Sequence, residues 1–223
     1  MRIEIIRITF LSGQFHPADI PRIRAYFSRV FPDFTLLHNH EPSGGFRYVY
    51  PEVQFKFIAS QLMIIGYGKG FRVLSQIFNR INTVEINHRE IAIPEKSIQI
   101  YKDYIGIHDT FNRFRFITPW MALNQKNYRE FMRLNSYERE LKLNRILWGN
   151  FKTVAHAFDY WIPDPDKIKV NGHFEMRESR FKGNTMLTFR GDFVTNFCIP
   201  EYLGLGKQVA RGYGTVQKTK ERI

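Results

Sequence analysis

The sequence predicts an α+β fold of two tandem ferredoxin-like, RRM-like βαββαβ domains, at residues 1–105 and 106–223, with a glycine-rich loop closing the second. Three observations predict it. The hydrophobic pattern of the first half runs strand, helix, strand, strand, helix, strand, which is the split βαβ order. A second strand-led unit opens at Phe111 and shares much of that order. The 223 residues are 43% hydrophobic and 16% aromatic, enough for a real core and far from the composition of a disordered chain.

Taken in order, residues 2–10 are rich in Ile with little interruption, as in a strand buried on both faces. After Pro17, the helical spacing of Ile20, Ile23, Phe27 and Val30 predicts a helix closed by Pro32, with Arg22, Arg24 and Arg29 off its apolar stripe. Alternation over 46–50 and 53–57 predicts two strands, with Pro51-Glu52 as the hairpin tip. Leu62–Ile65 is a further apolar run. Gly66, Gly68 and Gly70 then mark a turn before a helix carrying Phe71, Leu74, Ile77 and Ile81. Short β segments continue toward Tyr101.

In the second half, Phe114 and Phe116 alternate with Arg113 and Arg115 on one strand. Phe131, Leu134, Tyr137, Leu141 and Trp148 recur at helical intervals, and Gly149 is expected to break the helix before a further turn with Val154 and Phe158. Two extended segments, 168–181 and 184–197, meet at Lys182-Gly183-Asn184, a hairpin turn.

Charge points to the partner. The 33 Lys and Arg against 21 Asp and Glu give a formal charge of +12, which attracts polyanions and makes nucleic acid the leading ligand. Solubility is the competing use of such an excess. The one cysteine, Cys198, allows no internal disulfide, and no His/Cys spacing resembles a zinc site, so a cytoplasmic setting and no metal are expected. Glu4 and Arg7 interrupt the first apolar run and no small-residue cleavage site follows, so it reads as a strand rather than a signal peptide, and no stretch approaches membrane-spanning length.

The sharpest local pattern is the segment Gly204-Leu205-Gly206-Lys207-Gln208-Val209-Ala210-Arg211-Gly212-Tyr213-Gly214, two Gly pairs around five residues that include Lys207 and Arg211. Glycines let backbone approach a ligand closely, so N–H groups could converge on phosphate oxygens while the two cations neutralise them. The alternative is tight turns at a sheet edge with solvated cations. The segment lies at the chain's end instead of opening a βαβ unit, and no ribose-binding acid follows, so no nucleotide cofactor is expected. The GYGKG at 66–70 lacks the spacing of a Walker motif.

A Gly-x-Gly, five residues of basic character and a second Gly-x-Gly, closing two ferredoxin-like halves, resembles the CRISPR-associated repeat-processing endoribonucleases. The resemblance spans the chain and has a second anchor, His38 and His40, in the loop after the first helix where that family's catalytic histidine falls. It implies metal-independent cleavage of CRISPR repeat RNA in precursor transcripts, giving guide RNAs with 2′,3′-cyclic phosphate and 5′-hydroxyl ends. His38 and His40 would share the proton transfers, since imidazole populates both forms near neutrality. Arg47 is the candidate for phosphorane charge, and Tyr26 matches in placement a tyrosine that some relatives use near the scissile phosphate. Gly204, Gly206, Lys207, Arg211, Gly212 and Gly214 would hold the RNA backbone, and Arg113 and Arg115 its stem. For Arg177, pairing with Glu175 or Glu178 competes with such a role. The partners implied are the repeat RNA, a CRISPR effector complex and a second copy of the chain. The second functional reading is a non-catalytic RNA-binding subunit of a CRISPR ribonucleoprotein, which needs the grip but not the histidines.

Overall fold

A computed structural model of the chain describes residues 1–37, 49–181 and 183–219, which divide into two units. The N-terminal unit comprises Arg2–Asp103 together with Ala210–Gly212. Its elements are β1 (Arg2–Phe10), α1 (Ile20–Val30), β2 (Val53–Ile58), β3 (Gln61–Tyr67), α2 (Lys69–Ile77), the hairpin β4 (Thr83–Ile86) and β5 (Arg89–Ala92), and β6 (Lys96–Tyr104). The sheet order β2-β3-β1-β6, with β3 antiparallel to both β1 and β2, is that of a ferredoxin-like fold, with the small β4–β5 hairpin added before the last strand.

The Ile-rich first strand is buried on both faces as expected: Ile5, Ile6 and Ile8 are each fully enclosed. Ile6 and Ile8 join Phe55 of β2, Ile64 of β3, Ile23 and Phe27 of α1, and Leu74 and Ile77 of α2 in one apolar core. The Phe27 and Phe55 rings meet edge to face at 5.4 Å.

One expectation fails here. The hairpin tip lies at Ala59-Ser60, between the paired residues Ile58 and Gln61, and not at Pro51-Glu52. Both turn residues have positive φ, 49° and 62°, which gives the twist that a two-residue hairpin needs. Neither carries the Asn-Gly signature, so the turn was silent in the sequence. Tyr50 lies outside any strand, and Phe46–Tyr48 fall outside the described residues.

The C-terminal unit comprises Met1, Tyr104–Val209 and Tyr213 onward. It is built from β7 (Gly106–Phe116), α3 (Gln125–Arg133), α4 (Ser136–Ala157), β8 (Val170–Phe181), β9 (Asn184–Cys198) and β10 (Val216–Lys218). Its sheet order, β10-β7-β9-β8, repeats the first pattern: the opening strand sits between the last and the third. The β8–β9 hairpin spans the predicted segments. Stacked rings fill the core, among them Phe151 on Phe197 at 5.2 Å and Phe116 on Trp120 at 4.9 Å. The second crossover differs from the βαββαβ expectation in having no α-helix. Between β9 and β10 the glycine-rich segment itself makes the connection, with only a 3-10 turn at Val209–Arg211.

The helical stripe also shifts. Tyr137 and Leu141 are 72% and 53% exposed, while Leu143, Leu147, Phe151, Val154 and Ala155 are buried. The cause is a reset at Asn135. Its side chain accepts from the Glu138 N–H at 2.9 Å, and Glu138 Oε2 accepts from the Asn135 N–H at 3.0 Å, a capping box that starts a new helix with a new phase. α4 then runs through Gly149 without a break. Among the described residues no helix is long and apolar enough to cross a membrane.

Candidate nucleic-acid interface

The glycine-rich segment is fixed by backbone bonds within the C-terminal unit. Leu205 N–H donates to Gly214 O at 2.9 Å, Gly214 N–H to Pro119 O at 2.8 Å, and Lys207 N–H to Met121 O at 3.1 Å. A Cβ on Gly214, where φ is +63°, would lie 1.9 Å from Leu205 O, so that position has no room for a side chain. These three amides are therefore already used and do not converge on a ligand. What the segment presents outward is its cations: Lys207 is exposed and Arg211 half-buried, while Gly204, Gly212 and Gly214 are buried.

Lys207 stands on the rim of an open groove of about 1200 Å³, with Lys126 and Arg129 of α3 and Arg177 of β8 on the other walls. Partial loss of hydration there lowers the Lys207 pKa. The groove lining is rich in methionine, with Met121, Met132, Met176 and Met186.

Ala210–Gly212 pack in the N-terminal unit. Gly212, with φ +84°, passes so near β2 that a Cβ would sit 3.1 Å from Phe55 O and 3.4 Å from the Lys56 Cα. Lys56 itself is completely buried, and desolvation lowers its pKa to about 7. Arg24 of α1 is half-buried, and its pKa is lowered by desolvation first and then by the charge of Arg211.

Arg113 and Arg115 point away from Phe114 and Phe116, as the alternation implied, and line a second depression of about 670 Å³ with Arg190 and His173. Arg115 grips Asp192 with two bonds, Nε to Oδ1 at 2.7 Å and Nη2 to Oδ2 at 2.9 Å. That hydrogen bonding holds Asp192 below and Arg115 above their ordinary pKa values. Arg177 pairs with Glu175, the competing partner foreseen for it. Tyr26 is half-buried; its ring meets Phe27 edge to face and its hydroxyl lies 3.2 Å from Thr83 Oγ1, so ring and hydroxyl both have protein partners. His38, His40 and Arg47 lie outside the described residues. Immediately before them, Leu37 is fully buried in the N-terminal core.

Residues 1–103 of the chain match the model of the Cas6b N-terminal domain, and residues 106–219 that of the Cas6b C-terminal domain. The chain belongs to the Cas6b family. A solved Cas6b crystal structure superposes with a TM-score of 0.90 at 34% identity, covering 98% of this chain and 100% of that one. A second, described as a CRISPR RNA processing endoribonuclease Cas6b, gives 0.79 at 32% identity with the same coverage. An uncharacterised protein of Methanocaldococcus jannaschii is 32% identical over 145 residues, 61% of this chain and 97% of its own length.

Within this Cas6b family chain, sequence reasoning passed over two cations beside the glycine-rich segment. Arg24 was grouped with Arg22 and Arg29 as lying off the apolar stripe of its helix. Lys56 alternates with Val53, Phe55 and Phe57, a position that in a strand with one wet face would be exposed. The only sequence signal for its burial was the neighbouring Gln54, a second polar residue on the same face and also fully buried.

Proposed function

We propose that this chain is an endoribonuclease that cuts the repeat RNA of CRISPR precursor transcripts to release guide RNAs, and that it does so without a metal. The observation that carries the reading is the match of both units to the Cas6b domain models, joined to the 32% identity with a Cas6b described as a CRISPR RNA processing endoribonuclease. In the reaction the 2′-hydroxyl oxygen bonds to the adjacent phosphorus and the P–O5′ bond breaks. A base removes the 2′ proton and an acid protonates O5′, leaving a 2′,3′-cyclic phosphate and a 5′-hydroxyl. His38 and His40 are two apart, so in extended backbone both project to one side and can share these roles. Arg47 supplies positive charge to the phosphorane oxygens. Lys207 and Arg211 hold the RNA backbone, and Arg113 extends the basic surface toward a stem.

The test is to incubate the protein with a repeat RNA in excess chelator and to identify the ends. A cyclic phosphate and a 5′-hydroxyl are expected from wild type, and loss of cleavage with retained RNA binding from His38→Ala combined with His40→Ala. Binding by wild type without any 5′-hydroxyl product defeats the enzyme reading. Cleavage that survives the double substitution defeats the site assignment.

A further inference from the structure

The three arginines of α1 are treated differently by the fold. Arg22 lies 3.6 Å from Asp19, and Arg29 lies 2.8 Å from Glu85. Arg24 is more enclosed than either, yet among the described residues no carboxylate pairs with it. The charge that acts on it is another cation, Arg211.

Both residues are held in place by the same point of β2. Phe27, one turn after Arg24 on α1, sets its ring 5.4 Å from that of Phe55. Gly212, next after Arg211, is pressed against the Phe55 carbonyl and the Lys56 backbone, in a conformation that favours glycine. Neither anchor is a loose surface element: Phe27, Phe55 and Gly212 are all buried. The fold thus brings the charge of Arg211 to bear on the partly desolvated Arg24 guanidinium, which disfavours the charged form of Arg24. An anion between them reverses the sign of that interaction. Guanidinium forks match the oxygens of a phosphate group in pairs, and Arg remains charged where a lysine would shed its proton.

We propose that Arg24 and Arg211 form a two-guanidinium clamp for one phosphate group, and that its ligand is a backbone phosphodiester of the bound RNA. The second half of this proposal rests on the RNA-processing reading; the first does not. Arg24 thereby joins the glycine-rich segment as an RNA-binding residue from a different element. The helix reads as the fixed jaw and the glycine-rich turn as the one that carries Arg211 to it.

The test has two arms. In the first, RNA affinity is titrated against salt for wild type, Arg24→Ala, Arg24→Lys, Arg211→Ala and the double alanine variant. Each single alanine variant is expected to bind about tenfold to a hundredfold more weakly, the range for a charge-assisted bond. The double variant should lose little more, because both groups serve one phosphate. The log–log salt slope of Arg24→Ala should fall by about 0.7–0.9, and Arg24→Lys should recover that slope. Fully additive losses, or an unchanged slope in Arg24→Ala, overturn the clamp. In the second arm, melting temperature is read with and without inorganic phosphate. Arg24→Ala alone should melt no lower than wild type, because a half-buried cation acted on by a like charge is removed, and phosphate should raise the wild-type value more than that of the variant. A substantially lower melting temperature for Arg24→Ala assigns the residue a structural role and overturns the proposal. If wild type binds no RNA while phosphate still distinguishes the two proteins, the anion site stands and the RNA assignment is overturned.

Discussion

At the scale of single residues, Lys56 makes the clearest demand on experiment. Its folded pKa of about 7 lies below the ordinary 10.5, so between those values the unfolded chain binds more protons than the folded one. Stability should therefore rise with pH from about 7, at up to about 1.4 kcal/mol per pH unit from this group, while below 7 its burial is a standing cost. Tyr67, also fully buried, has its pKa pushed well above 10 by desolvation and opposes the trend once free tyrosines ionise. Urea midpoints measured from pH 7 to 10 should show a rising slope in wild type that is lost in Lys56→Met; an equal slope in both proteins contradicts the buried neutral lysine. For Tyr26 the hydroxyl is already engaged by Thr83. Tyr26→Phe keeps the ring packing and is expected to slow cleavage by well under the roughly hundredfold that marks loss of a general acid or base, as read from single-turnover rates. Such residue-level facts were the least legible in the sequence. Whether Arg24 or Lys56 meets water depends on what long-range packing lays over it, and neither helical nor strand periodicity contains that.

At the scale of elements, the long helix α4 is both the best and the worst read. Its existence followed from apolar spacing, but its register did not, because the stripe was carried across Asn135 as if one helix spanned both sides. The capping box there begins a new phase. Asn135→Ala should cost about 1 kcal/mol of unfolding free energy. Gly149 gives the opposite test. It is helical and a Cβ added there would meet nothing within 4 Å, so Gly149→Ala should stabilise by about 0.5–1 kcal/mol in denaturant melts. A destabilised Gly149→Ala would indicate a packing role that the open space around it does not suggest. The β2–β3 turn was missed for a related reason. Ala59 and Ser60 take positive φ because the paired strands on either side over-determine the turn, and neither residue type announces it.

At the scale of the whole molecule, the succession of elements in the first half and its likeness to the second were legible from the periodicities, and the family from a glycine-rich pattern and a histidine pair far apart in the chain. The net charge of +12 adds a measurable expectation: RNA affinity should fall steeply with salt, and Lys207→Ala combined with Arg211→Ala should flatten the log–log slope by roughly 0.7–0.9 for each cation removed. A flat response in wild type speaks against a phosphate-gripping role. What the sequence did not disclose is that Ala210–Gly212 pack against β2, more than 150 residues earlier, because no local pattern records a long-range neighbour. That packing sets an order of events during synthesis. The first 103 residues leave the ribosome with α1 and β2 in hand, but the short segment that lies on Phe55 follows β2 by more than 150 residues. A nascent chain therefore holds Arg24 before Arg211 exists, and the two can meet only after the whole segment between them has been made.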